Sequence, residues 1–216
     1  MIANHSGREL RRRLPRLLLG LVLCGLGIAS MVAGDLGLGP WDVLHQGISH
    51  RTGIPIGTVN ILVGFVVLAA WLPLRERPGL GTLLNVLVIG IVIDLTLLVL
   101  HTPESLLLRT VMMGAGPVLF GIGSGFYIGA GLGPGPRDGL MTGLARHTGA
   151  RVGRVRTGLE VTVLLAGWLL GGTVGVGTVV FALGIGPVVQ LSLRRWALVD
   201  AGPVPLVGGA TPPTPR

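Results

Sequence analysis

Leu36-Gly37-Leu38-Gly39-Pro40-Trp41-Asp42 returns 96 residues later as Leu132-Gly133-Pro134-Gly135-Pro136-Arg137-Asp138. The recurrence continues in both directions. At that shift residues 16–95 align with residues 112–191 without a gap. Roughly 28 of the 80 positions are identical, far above chance even for a chain so rich in Gly and Leu. Gly25-Leu26-Gly27 falls on Gly121-Ile122-Gly123, Thr52-Gly53 on Thr148-Gly149, Gly81-Thr82 on Gly177-Thr178 and Gly90 on Gly186. One unit has been duplicated.

Each copy holds three apolar runs near the roughly 20 residues a bilayer demands: 14–34, 56–74 and 80–100, then 108–130, 155–171 and 173–193. Half of the residues are hydrophobic and 12% are charged, too few polar groups to coat a soluble domain of this length. The 38 glycines, with no collagen period, fit helices packed closely in lipid. With one cysteine, Cys24, no intrachain disulfide can form. Arg8, Arg11, Arg12, Arg13 and Arg16 before an apolar run imitate a secretory signal. A matching run recurs in mid-chain, however, so the first run is read as a retained span.

Arginine alone supplies the positive charge. With the N-terminus in the cytoplasm and six crossings, roughly 15 of the 17 Arg fall on the cytoplasmic side, leaving only Arg51 and Arg109 outside. Nucleic acid is therefore not needed to explain the net charge of +8. Three crossings per copy place the second copy upside down relative to the first. The expected fold is an all-α polytopic membrane protein of six transmembrane helices in two inverted three-helix repeats. The expected divisions are a basic cytoplasmic segment 1–13, repeat one 14–100, an external loop 101–107, repeat two 108–195 and a disordered cytoplasmic tail 196–216.

A polar insert, 35–55 and 131–151, separates the first and second runs of each copy. Gly37, Gly39, Gly133 and Gly135 permit close backbone approach. Pro40 and Pro136 suit a first helical turn, and Asp42 and Asp138 in that turn complement the helix dipole. The inserts thus read as short helices from Trp41 and Asp138, with Trp41, Leu44 and Ile48 on one face and Asp42, His45, Gln46 and Ser49 around the other. Two placements remain open: a surface helix with an acidic first turn, or a re-entrant half-helix whose terminus faces a central cavity.

Inside the spans a carboxylate costs at least roughly 2.5–3.5 kcal/mol. Asp94, with no Arg within a turn, is the acid chosen for coupling if the protein transports, and its repeat mate is Gln190. Asn60 lies near the start of the second run. Glu160 lies in the fifth, one turn after Arg156, which offers it a salt bridge. His45 and His50, five apart and without paired Cys, give no metal site. No cofactor is expected. Gly121-Ile122-Gly123-Ser124-Gly125 follows no strand and binds no dinucleotide, and no nucleophile stands with a base, so no enzyme is expected.

Gly37-Leu38-Gly39-Pro40-Trp41-Asp42, the run Gly53-Ile54-Pro55-Ile56-Gly57-Thr58-Val59-Asn60 and the two-copy layout resemble the YczE/YyaS/YitT group of bacterial integral membrane proteins, the YczE branch above all. The second copy departs from that pattern with Arg137 in place of Trp41 and Arg156 in place of Asn60. The resemblance implies a bacterial inner membrane and names no substrate. Two functions follow from the residues: a transporter of a small solute or ion with its pathway near Asp42, Asp138, Asp94, Gln190, Asn60 and Glu160, or a non-transport scaffold or accessory factor for another membrane or secretion system. The expected partners are the lipid bilayer and an unknown small solute or ion, with a homo-oligomer left open.

Overall fold

The computed structural model describes residues 7–196, and each run and each insert contributes a helix. In order the helices are α1 (Gly7–Gly34), α2 (Pro40–Thr52), α3 (Ile56–Ala69), α4 (Trp71–Leu74), α5 (Leu80–Leu97), α6 (Leu106–Gly129), α7 (Pro136–Thr148), α8 (Val152–Leu169) and α9 (Val176–Trp196). No strand occurs among the described residues. The tail expected to be disordered lies outside them, apart from Trp196, which ends α9.

Among the described residues five stretches are long and apolar enough to cross a bilayer: Glu9–Gly34, Ile56–Leu74, Leu80–Leu97, Leu106–Gly129 and Val176–Trp196. The run expected at 155–171 becomes α8, 18 residues long. It carries Arg154, Arg156 and Glu160 in its first half, and those charges set it apart from the other five.

Local chemistry repeats with the sequence. α2 and α7 are both 13 residues, both start on proline and both end at a glycine in the left-handed region, Gly53 (φ 75°) and Gly149 (φ 68°). At the head of α5 the Gly79 N–H donates to Thr82 Oγ1 at 3.1 Å. At the head of α9 the Gly175 N–H donates to Thr178 Oγ1 at 3.2 Å. The copies are also laced together. The Gly81 N–H donates to Leu132 O and the Gly177 N–H to Leu36 O, each at 2.8 Å, so the link before each insert ties down the last helix of the other copy.

α1 and α6 form the central crossing. Gly20 lies against Gly123 and Gly27 against Gly116, so the two helices run antiparallel. A Cβ on Gly20 or Gly27 would sit 2.6 Å from the facing carbonyl oxygen. In lipid there is no hydrophobic drive between helices, and such close backbone approach supplies the attraction instead. Cys24 touches its own repeat mate here, with Sγ 3.5 Å from Phe120 O.

Around this crossing the helices sort into two groups. α5 packs on α1 and α9 packs on α6, the same contact in each copy. α2, α3, α7 and α8 pack among themselves, and α3 also lies along α5. Trp71, 1% exposed, fills the notch left by Gly139 and donates Nε1–H to Pro136 O at 3.0 Å, which pins the head of α7.

Candidate functional site

The insert helix α2 buries its polar side. Trp41, Asp42, Val43, His45, Gln46 and Gly47 are buried, whereas Leu44 and Ile48 are only half-buried. The surface placement therefore fails for α2, and the amphipathic reading of its two faces inverts. The reason is its position between α3 and α8: with protein around it, polar side chains go where partners are.

Those partners come from both copies. Asp42 Oδ1 lies 3.5 Å from Nη2 of Arg137, at the head of α7, and 3.5 Å from His45 Nδ1. The Arg137 guanidinium also sits 5.0 Å from the centre of the Trp41 ring, a cation–π contact. Trp41 and Arg137 are repeat mates, so the first turns of α2 and α7 meet head to head. Both positive helix ends converge at that point.

Asn60 Nδ2 lies 3.3 Å from the same His45 Nδ1. The His45 ring thus stands between Asn60 and Asp42. Asp42 Oδ1 keeps only its longer contacts to His45 and Arg137, and Trp41 Nε1 is buried with no hydrogen-bond partner among the described residues. α2 is an insert rather than a span, and its ionisations follow from these contacts. Burial alone would raise the Asp42 pKa, but His45 and Arg137 outweigh it and hold the carboxyl below its ordinary value. Burial pushes the His45 pKa below its ordinary value. Gln46 Oε1 accepts the Thr173 N–H at 2.7 Å and ties α2 to the link before α9.

On the facing insert Asp138 is exposed, and Oδ2 accepts a hydrogen bond from Tyr127 Oη at 3.2 Å. Gly135 makes room for that pair, since a Cβ there would lie 3.0 Å from Tyr127 Oη and 3.1 Å from Asp138 Oδ2.

Residues 11–194 match a family described as a family of unknown function, DUF6198. An uncharacterized protein of Haemophilus influenzae is 44% identical over 178 residues, covering 82% of each chain. The uncharacterized membrane protein YczE of Bacillus subtilis is 35% identical over 198 residues, covering 85% of this chain and 92% of YczE. The chain belongs to the YczE family. A second Bacillus subtilis relative, the uncharacterized protein YyaS, is 29% identical over 164 residues, 74% of this chain and 82% of YyaS. No solved structure matches. With its apolar helices, this member of the YczE family is an integral membrane protein.

The remaining polar residues expected in the pathway of this YczE-family chain do not join Asp42. Asp94 stands nine residues after Asn85 along α5, about 13 Å by helical rise. Its Oδ1 accepts the Gly57 N–H at 2.6 Å and its Oδ2 the Thr58 hydroxyl at 2.8 Å. It therefore serves two donors at the start of α3 that would otherwise be orphaned. Asp94 also borders an open cleft of about 260 Å³ with Pro55, Ile56 and Leu98, and Asp42 and Asp138 do not line that cleft. Gln190 is half-buried in α9. Glu160 accepts from Arg156 at 2.9 Å, the salt bridge its spacing offered. With side chains 41% and 33% exposed, that pair contributes little. Glu160→Gln is expected to shift the melting midpoint in detergent by no more than about 2 °C, the equivalent of a few tenths of a kcal/mol.

Of the residues expected from sequence, Asp42 and Asn60 lie together and Asp138 stands on the facing helix. His45, Arg137 and Tyr127 were missed. The sequence puts His45 on the polar face of the insert helix without assigning it to the pathway, and Arg137 shows there as a cytoplasmic charge and a departure from the motif. The available signal was the exchange itself: a Trp in one copy and an Arg in the other at the same position form a complementary pair when repeat mates touch. Tyr127 offered no signal beyond being the chain's one tyrosine.

Proposed function

We propose that this chain is a transporter of a small solute or ion, not an enzyme. Its site lies where the first turns of α2 and α7 meet between two inverted repeats. The observation that carries the reading is the pairing of the buried Asp42 with Arg137, one from each copy, beside a buried Trp41 Nε1 that has no hydrogen-bond partner among the described residues. Interrupted segments at equivalent places in two halves, with helix ends facing the interior, are the common construction of transport sites. The antiparallel α1–α6 crossing supports the inversion. On this reading α8 is the sixth crossing, its charged first half lying toward the cytoplasmic boundary.

The orientation makes its own prediction. Reporter fusions after Arg16, at Glu76 and after Arg195 should read cytoplasmic, and fusions at Glu104 and Gly172 should read external. An external C-terminus would sink the six-span count and the inversion together. Transport itself is tested in proteoliposomes with a panel of anionic, cationic and zwitterionic small solutes. Uptake of one class by the full chain, lost in Arg137→Ala at equal insertion, is the expected result. No uptake of any class, together with a co-purifying membrane partner, would favour the scaffold.

A further inference from the structure

The two copies differ most at one contact. In the first copy α3 lies tight on α5: Gly57 and Gly90 face each other backbone to backbone, a Cβ on Gly90 would stand 2.5 Å from Ile61 Cγ1, and Asp94 takes the Gly57 N–H and the Thr58 hydroxyl. The repeat mates of Gly57 and Gly90 are Gly153 and Gly186. A Cβ on either of these would meet nothing within 4 Å. α8 packs on α2 and α7 and makes no comparable contact with α9. Only Gly167, near its far end, is buried. By contrast, α1 on α5 and α6 on α9 are matched: Gly25 is closed over by Val92, and its mate Gly121 by Val188, the mate of Val92.

This difference divides the molecule into two bodies. α1, α5, α6 and α9 keep their symmetry and form a scaffold. α2, α3, α7 and α8 form a second bundle that leans toward α5 and away from α9. The four links that join the bodies each contain a residue with positive φ: Gly37 (114°) before α2, Arg75 (55°) before α5, Gly133 (128°) before α7 and Gly171 (97°) before α9. Both insert heads, with Asp42, Arg137 and Asp138, belong to the leaning bundle. They face the scaffold through Phe181 of α9, against Gly39, and Tyr127 of α6, against Asp138.

We propose that the α2–α3–α7–α8 bundle rocks on the α1–α5–α6–α9 scaffold, with the described conformer as one end state. In the other end state α8 closes on α9, bringing Gly153 against Gly186, while α3 leaves α5 and Asp94 releases Gly57. The duplication supplies the warrant. α8 and α9 descend from the same unit as α3 and α5 and keep both glycines needed for the close approach, although no described residue now comes within 4 Å of a Cβ built on either. The latch is unequal, since Asp94 accepts two hydrogen bonds where its mate is the neutral Gln190. The described end state is thereby favoured. This motion rests on the transport reading for its use: it would open the Asp42–Arg137 region first on one side of the membrane and then on the other.

The test is a disulfide whose partners are separated in the described conformer. Thr157 and Gly186 are the repeat mates of Ile61 and Gly90. Cysteines at the first two positions can join only if their Cα atoms come within about 7 Å. In a Cys24→Ser chain in liposomes, Thr157→Cys/Gly186→Cys should oxidise slowly. Adding Asp94→Ala, which frees the latch, should speed the reaction several-fold. Gly90→Ala, which pushes α3 off α5 by a clash with Gly57 and Ile61, should do the same by a different route. No disulfide in either background, or the same rate in both as without them, overturns the proposal. The readout is independent of flux. Flux without any disulfide response would remove the rocking motion and keep the transporter, and a disulfide response without flux of any solute would keep the motion and remove the transporter.

Discussion

Asp42→Asn should abolish transport while leaving a protein that inserts and purifies. Asn keeps the shape of Asp and remains acceptable in a first helical turn, so α2 should still form. What disappears is the charge opposite Arg137. Breaking a buried pair by removing one partner costs about 3–5 kcal/mol when both groups are enclosed. Arg137 is 26% exposed along its side chain and retains the Trp41 ring, so the expected loss falls below that range, at about 1–2 kcal/mol. A drop of several degrees in the melting midpoint should accompany the loss of flux. The second variant, Asp42→Asn with Arg137→Gln, removes the stranded cation. It should recover most of the lost midpoint and none of the flux, because the pathway has then lost both charges that distinguish it. The signature is thus stability that returns without activity. Unimpaired uptake by Asp42→Asn would show that this buried acid is structural and would move the site elsewhere.

Acid pH offers a route to the same end without mutation. The folded state holds the Asp42 pKa below its unfolded value, so the stabilisation it gives is complete above the ordinary carboxylate range and is lost as pH falls through the folded pKa. His45 acts in the same direction: its folded pKa lies below the ordinary imidazole value, so the neutral ring is favoured and stability declines as the medium acidifies past that range.

Gly123→Leu is expected to leave no folded protein in detergent. A Cβ at Gly123 would lie 2.5 Å from Gly20 O and 2.8 Å from the Cys24 backbone nitrogen. Both neighbours are helical backbone that cannot step aside. Small-to-large changes in a packed core cost about 1–3 kcal/mol where side chains can adjust, and more where only a rigid helix pair could give way. Gly27 and Gly116 form the second point of the same crossing and should respond alike. Gly114 and Gly158 provide the control, because a Cβ at either meets nothing within 4 Å. Leucine there should elute and melt close to the parent on size exclusion. Equal behaviour of the Gly123 and Gly114 variants would mean that the α1–α6 crossing does not hold the two copies together.

The glycines illustrate how far sequence could reach. Their repetition at a fixed shift announced the duplication, and their number pointed to close packing. Each looked equally suited to a tight contact, however. Which ones meet backbone, as Gly20 and Gly123 do, and which face open space, as Gly153 and Gly186 do, depends on where the other copy's helices lie. Polar residues behaved similarly. The ion pair of Glu160 with Arg156 was legible because both sit on one helix, one turn apart. The site at Asp42 was half legible, since its other half stands 95 residues away at Arg137. The partners of Asp94, Gly57 and Thr58, were not legible, because they lie on a neighbouring helix whose register no local pattern reveals.

The sequence by itself therefore determined that the protein is built for a membrane, that it is helical, that it consists of one unit used twice, and where its inserts begin and end. Each of these follows from local composition, local caps or self-similarity, and none needs a long-range contact. The tertiary structure alone decided that α2 buries its polar face, that Trp41 and Arg137 touch, and that α3 is closed on α5 while α8 stands off α9. The physical reason is the same in all three cases. In an all-helical membrane protein most backbone hydrogen bonds are satisfied within their own helix, so helix placement is set by steric fit and a few polar contacts between distant parts of the chain. Those energies belong to pairs of helices and leave no periodic mark in either one.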